Sequence, residues 1–169
     1  KFDICVAPSR KRSGMGINMS ITFEGYPEIT KEEIHKALEF CNSQILHILP
    51  EFTDKFQQAY SENGFYPPIE NHYWTCGFWT GEVWLAYEFS RDERLKKAGQ
   101  VQGKSFLNRI DKKIEVDHHD MGFLYSPSCV AAYKLIGSEE GKEAAIKAAD
   151  QLITRYHPGA LWTRLKITG

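Results

Sequence analysis

The chain has 169 residues, 42% hydrophobic and 25% charged, proportions that support a packed core and exclude a disordered or fibrous polymer. Its 21 basic and 22 acidic side chains are mixed along the chain and nearly cancel to a formal charge of -1, so no field is expected that would draw in nucleic acid or an anionic membrane. Cys5, Cys41, Cys76 and Cys129 are widely spaced, with no C-x-x-C pair and no secretory context, so neither a disulfide framework nor a zinc site is expected, and the chain reads as a cytoplasmic protein with reduced thiols. No apolar stretch reaches the length of a membrane span.

Residues 1–27 show no sustained period and are broken by Gly14, Gly16 and the Gly25 to Pro27 turn, which reads as a poorly ordered or non-homologous arm. From Thr30 the character changes. Thr30 and Glu33 have capping-box spacing, and Ile34, Ala37, Leu38, Cys41, Ile45 and Leu49 then recur at helical spacing until Pro50, predicting an amphipathic helix with one buried face. Residues 51–64 read as a further short helical piece, and residues 65–73, with Pro67-Pro68 and several rings, as a loop.

Residues 77–89 place Phe78, Val83, Ala86 and Tyr87 on one helical stripe. After a turn at 90–92, Leu95, Ala98, Val101 or Gln102, Phe106 and Ile110 form the stripe of a second helix. A second hairpin follows: Ser126-Pro127 as N-cap and first helical residue, an apolar run from Val130 to Leu135, Gly137 as terminator, and Ser138 capping residues 139–156, with Ala145, Ala148, Ala149, Leu152 and Ile153 inward. Offset by 46 residues the two hairpins align, pairing Ala86-Tyr87 with Ala132-Tyr133 and Ala98 with Ala144; Gly77-Phe78 pairs with Gly122-Phe123 at an offset of 45. Such a repeat means stacked helical hairpins, and the expected class is all-α, a solenoid or a closed α/α toroid.

The loops that feed the first helix of each hairpin carry the chemistry-bearing residues, at one end of a rigid scaffold where function concentrates. One contains Trp74 and Cys76, the other Asp117-His118-His119-Asp120. Read as an extended stretch, the second would turn Asp117 and His119 one way and His118 and Asp120 the other, and its spacing matches no usual ligand pattern, so no metal is expected. The residues alone leave two readings: His118 and Asp117 brace the loop, or Asp120 is a catalytic carboxylate at the mouth of an aromatic-walled cavity. Trp79 and Trp84 continue a helical stripe and read as core, whereas Trp74 precedes the helix and is a candidate sugar platform. Cys76 lies at a helix start that could ionise a thiol, against the commoner case of a buried, inert one.

The ordered set of Trp74 to Gly81, Trp84 to Glu88, Asp117 to Tyr125, Ala148-Ala149-Asp150 and Arg155-Tyr156 resembles family 88 of the glycoside hydrolases, the unsaturated glucuronyl hydrolases. The resemblance runs from about Thr30 to Tyr156. It implies that residues 28–156 are the N-terminal half of an (α/α)6 toroid in a cytoplasmic enzyme that needs no cofactor. The implied substrate is a lyase-generated oligosaccharide, of glycosaminoglycan type, with a 4,5-unsaturated uronic acid at its non-reducing end. The implied chemistry is hydration of the vinyl ether, with a proton delivered to C4 and water to C5. By the same resemblance Asp120 matches the first of two essential aspartates, and His119 and Trp74 match pocket-lining, substrate-binding positions.

Two departures accompany the match. Cys76 stands where the family has Asn or Asp, and residues 157–169 diverge from the stretch that leads to the second aspartate. A closed toroid has six hairpins and this chain encodes about three, so the expectation is a chain that is inactive by itself, associates with another copy through the unclosed helical edge, or is a fragment of a longer product. The alternative reading is a catalytically dead helical scaffold or saccharide-binding module that lacks the second aspartate.

Overall fold

The computed structural model describes residues 29–156; the expectations placed on residues 1–27 and 157–169 lie outside the described residues. Helix α1 (Lys31–Ile48) begins where the capping box predicts. Thr30 Oγ1 accepts the Glu33 amide at 3.2 Å, and the Glu33 carboxylate accepts the Thr30 amide at 2.8 Å. Its apolar stripe is not the buried face expected. Ile34 and Leu38 are close to half exposed and Cys41 is exposed; only the C-terminal end, from Ile45 to Leu49, packs against the core. Period and capping make the helix, but burial needs a second element over the stripe, and among the described residues nothing covers its first half.

Residues 51–64 are not helical. Here β1 (Phe56–Gln57) pairs antiparallel with β2 (Pro68–Ile69), Phe56 opposite Ile69, and the chain reverses at Asn63 and Gly64, both at positive φ (52° and 82°). Asn-Gly is the pair a tight hairpin turn favours, because both central residues must enter the left-handed region. Glu62 and Phe65 exchange backbone hydrogen bonds across it, at 2.7 and 3.0 Å. Phe56 is buried edge-on against Phe106, 5.5 Å between ring centroids.

The first hairpin is α2 (Cys76–Ser90) and α3 (Glu93–Asp111), joined by left-handed Arg91 and by Asp92, whose carboxylate caps the Arg94 amide at 2.9 Å. Trp79, Trp84, Val83, Leu95, Ala98, Phe106 and Ile110 are buried, as the stripes predict. Gln102, not Val101, takes the inward position of α3: its amide donates to the Phe52 carbonyl at 2.8 Å, which Trp79 Nε1 also reaches at 3.0 Å. One carbonyl of the 50–55 turn thus fastens that turn to both helices. Phe78 departs from the expected buried stripe and is 41% exposed.

The second hairpin starts earlier than expected. Helix α4 (Met121–Tyr125) runs through a π-helical turn (Ser126–Val130) into α5 (Ala131–Ile136), so Ser126-Pro127 lies inside a helical run instead of capping its start. Proline lacks the N–H that an α-helix would use here, and a π-turn accommodates the gap. The Ser128 hydroxyl donates to the Leu124 carbonyl, and Gly81 of α2 leaves room for Pro127, whose Cβ would lie 2.8 Å from an added methyl. Gly137 (φ 68°) ends α5 and Ser138 caps α6 (Glu139–Ile153). The inward face of α6 is Gly141, Ala144 and Ala148; Ala145 and Leu152 are half-buried, while Ala149 and Ile153, expected inward, are exposed because they lie off that face, and α6 ends at Ile153 and not at 156.

The hairpins stack in two layers, α2 against α4 and α5, and α3 against α6, with Ala98 and its repeat partner Ala144 both buried between the outer pair. Lys147 of α6 reaches Asp111 at the end of α3 at 2.6 Å. The inner pair approach most closely at Gly77, where an added Cβ would lie 2.1 Å from the Phe123 carbonyl oxygen. That contact registers the head of α2 against the head of α4. Gly77→Ala is therefore expected to destabilise the protein by about 1–3 kcal/mol through overpacking. Gly103→Ala, which meets open space within α3, gains up to about 1 kcal/mol from helix propensity. Thermal unfolding of both variants checks the contrast, and equal midpoints would contradict the close approach.

Candidate active site

The loops entering α2 and α4 meet over Arg109, a residue of α3 with no exposed surface. Its Nη1 donates to Asn71 Oδ1 at 2.9 Å and to the Tyr73 carbonyl at 3.0 Å. Nη2 donates to the carbonyls of His72 (3.1 Å) and Glu115 (2.8 Å), and Nε to that of Ile114 (3.1 Å). The guanidinium presents five N–H donors in a fixed fork, and here it serves two segments that are far apart in sequence. Burial lowers its pKa from the usual arginine value, but an arginine remains charged in a protein, so the cost of desolvation is offset by hydrogen bonds to oriented dipoles. The sequence held a signal for this: Arg109 continues the buried stripe of α3 between Phe106 and Ile110, a charge at an apolar position.

Beyond Ile114 the chain does not run extended as expected but folds as a turn into α4. This overturns the alternation of side chains, and both histidines converge on Asp120. The Asp120 side chain is 21% exposed. His119 Nε2 stands 3.3 Å from Asp120 Oδ1, and His118 Nδ1 lies 3.2 Å from the Asp120 backbone nitrogen and 3.8 Å from its Oδ2. Arg155, just beyond α6, donates to the Asp117 carbonyl at 3.0 Å and to its carboxylate. The Asp120 side chain, mostly covered, thus stands at the start of α4 with two imidazoles beside it. Among the described residues no three His, Cys, Asp or Glu side chains are placed to hold a metal ion.

Trp74 lies on the same surface. Its ring packs against Phe78 (6.1 Å between centroids) and Phe123 (6.3 Å), and Phe78 packs against Phe123 (5.5 Å). All three rings keep substantial exposure, and the Phe123 amide donates to the Asp120 carbonyl at 2.9 Å. Of the expected residues, Asp120 and His119 are in direct contact and Trp74 joins them through Phe123. Phe78 and Phe123 themselves were missed, because a phenylalanine at helical spacing reads as core. Three clustered, exposed rings form a surface suited to the apolar face of a sugar.

Three comparisons bear on this arrangement. No family model matches the chain. The unsaturated chondroitin disaccharide hydrolase of Streptococcus pneumoniae is 46% identical over 130 residues, which cover 77% of this chain and 33% of that protein. A crystal structure of unsaturated glucuronyl hydrolase from Streptococcus agalactiae superposes with a TM-score of 0.78 at 41% identity, covering 83% of this chain and 36% of that one. The chain is a relative of the unsaturated glucuronyl hydrolases. A variant of the Streptococcus agalactiae hydrolase, solved in complex with dGlcA-GalNAc6S, superposes with a TM-score of 0.75 at 42% identity, covering 78% of this chain and 35% of that one. The chain spans about a third of the length of the curated hydrolases it matches, and its all-α stacked hairpins are part of their α/α toroid.

Cys76, at the start of α2, does not have the character of an ionised nucleophile. The thiol is fully buried with Sγ 3.8 Å from the Glu70 carbonyl, and burial raises its pKa, against the smaller lowering by hydrogen bonds from the loop and by Arg109. Cys129 is pushed up to about 12 by burial. Both thiols are expected to resist iodoacetamide at neutral pH while exposed Cys41 reacts, and all three to react once the chain is unfolded. Peptide mass mapping of the alkylated sites reads this, and modification of Cys76 in the folded chain at the rate of Cys41 would contradict it.

Proposed function

We propose that this chain carries one wall of the active site of an unsaturated glucuronyl hydrolase, a glycoside hydrolase of family 88, with Asp120 as its catalytic carboxylate and His119 and Trp74 binding the substrate. The observation that carries the reading is the convergence of two imidazoles on Asp120, whose backbone carbonyl accepts from Phe123 of the exposed Trp74, Phe78 and Phe123 cluster. The substrate class is an oligosaccharide ending in a 4,5-unsaturated uronic acid. The named activities of the relatives and the dGlcA-GalNAc6S held by the Streptococcus agalactiae hydrolase support it. A cytoplasmic location and association of copies through the open helical edge belong to the same proposal.

The chemistry suits a carboxylate with neighbouring proton carriers. Hydration of a vinyl ether needs a proton delivered to C4 and water added at C5, after which the hemiketal opens and the glycosidic bond is lost; an acid or base must stand within hydrogen-bond reach of the group it serves. In this reading Asp120, with imidazole Nε2 of His119 at 3.3 Å, exchanges a proton with water or with the sugar. The three rings offer a stacking face that orients the uronate ring above it.

The test follows the ultraviolet absorbance of an unsaturated chondroitin disaccharide on incubation with the chain, beside calorimetry for binding. Asp120→Asn is expected to abolish the loss of absorbance while retaining binding. Trp74→Ala is expected to weaken binding by about tenfold, the equivalent of one aromatic contact. Unchanged absorbance at high concentration of the unaltered chain, with no heat of binding, rejects the reading. Binding without turnover leaves a saccharide-binding module in its place.

A further inference from the structure

A short run of contacts leads from the core to the backbone of Asp120. The Glu115 carbonyl accepts from Arg109 Nη2 at 2.8 Å and stands 2.9 Å from His118 Nε2. A carbonyl cannot donate, so Nε2 carries the hydrogen. At the other side of the ring, Nδ1 lies 3.2 Å from the Asp120 backbone nitrogen, whose N–H can only donate, so Nδ1 presents a lone pair. Both requirements specify one neutral tautomer, with hydrogen positions assigned by the partners. The peptide that supplies the carbonyl is itself held out of its preferred conformation: Lys113 and Glu115 have φ of 54° and 44°, a left-handed geometry that persists only where surrounding bonds enforce it. Arg109 supplies those bonds, to Ile114 and Glu115.

We infer that Arg109 and His118 are positioning residues for Asp120: the guanidinium sets the Glu115 carbonyl, the carbonyl sets the imidazole, and Nδ1 holds the amide from which the reacting carboxylate projects. The inference rests on the reading of Asp120 as the catalytic group. Burial holds the His118 pKa below the ordinary imidazole range, assisted by the charges of Arg109 from α3 and His119 at the head of α4, while the Glu115 carbonyl and the Asp120 carboxylate pull the other way. A folded pKa below the unfolded one means that the brace is complete above the ordinary imidazole pKa and is lost as pH falls from there through the folded value. A proton on Nδ1 displaces the Asp120 amide and leaves the ring facing the carboxylate instead.

Imidazole 15N spectra of the full chain, recorded from about pH 8 down to about pH 5, test the tautomer without any substrate. His118 is expected to show a protonated Nε2 and an unprotonated Nδ1 at neutral pH, and the Asp120 amide resonance is expected to move with the midpoint at which His118 takes its proton. Averaged tautomers at His118, or an Asp120 amide that ignores that midpoint, overturn the inference. In turnover of the unsaturated disaccharide, His118→Ala is expected to lower kcat by about tenfold with KM little changed, the loss of one hydrogen bond to a positioned group. His118→Asn, which keeps an acceptor near the Nδ1 position, restores most of the rate and removes the acid limb that His118 imposes. Arg109→Lys is expected to move the Asp120 amide resonance as His118→Ala does; should it fail to fold, the two His118 variants decide. An unaltered chain without turnover sinks the assignment of Asp120, whereas the spectra still decide whether His118 is locked.

Discussion

Five hydrogen bonds from one buried guanidinium join the loop at 71–73 to the loop at 114–115, and the relative placement of Trp74 and Asp120 depends on them. Neither loop has regular structure where Arg109 meets it, so its carbonyls would otherwise need water or each other. A charge in the core is costly when isolated. Here that cost is met by carbonyl dipoles that themselves require donors, so removing either side leaves the other unsatisfied. Such mutual dependence makes the two loops a single rigid unit, as a site that must hold a ring and a carboxylate in fixed relation requires.

The helices supply the second half of that rigidity. α2 and α4 start side by side because Gly77 permits backbone to touch backbone at Phe123 and Leu124, and that touch brings the loop preceding each helix to the same end of the stack. The same contact explains the aromatic surface: Phe78 and Phe123 are repeat partners at the heads of the inner helices, and their rings meet with Trp74 over the junction. Functional placement therefore follows from the repeat. Each hairpin presents its entry loop at the same end, and two adjacent hairpins bring together what the sequence separates by more than forty residues.

Imidazole has a double use in this arrangement. His119 is half exposed with one ring nitrogen against the Asp120 carboxylate, while His118, one residue earlier, is more covered and has a partner at each ring nitrogen. Adjacent residues of the same type thus have different chemistry because a turn, not a strand, carries them into the helix. A periodic rule applied to that stretch assigns them to opposite faces and misses their shared partner.

Much of the fold was legible from local chemistry. The capping box at Thr30, the N-cap at Ser138, the left-handed stop at Gly137 and the stripes of α2 and α3 are short-range matters of hydrogen bonding and period, and the repeat that stacks the hairpins is a property of the chain itself. Asp120, His119 and Trp74 were visible as candidates because polar and aromatic residues crowd the entry loops. What the chain could not disclose alone depends on partners distant in sequence. The exposed face of α1 depends on what lies over it. The helical run through Ser126-Pro127 depends on room that Gly81 leaves. Arg109 has a role only because two loops fold over it, and the neutral form of His118 is set by the carbonyl and amide on either side of its ring. Local patterns decide which elements form; contacts between elements decide which residues are buried, charged or held in register.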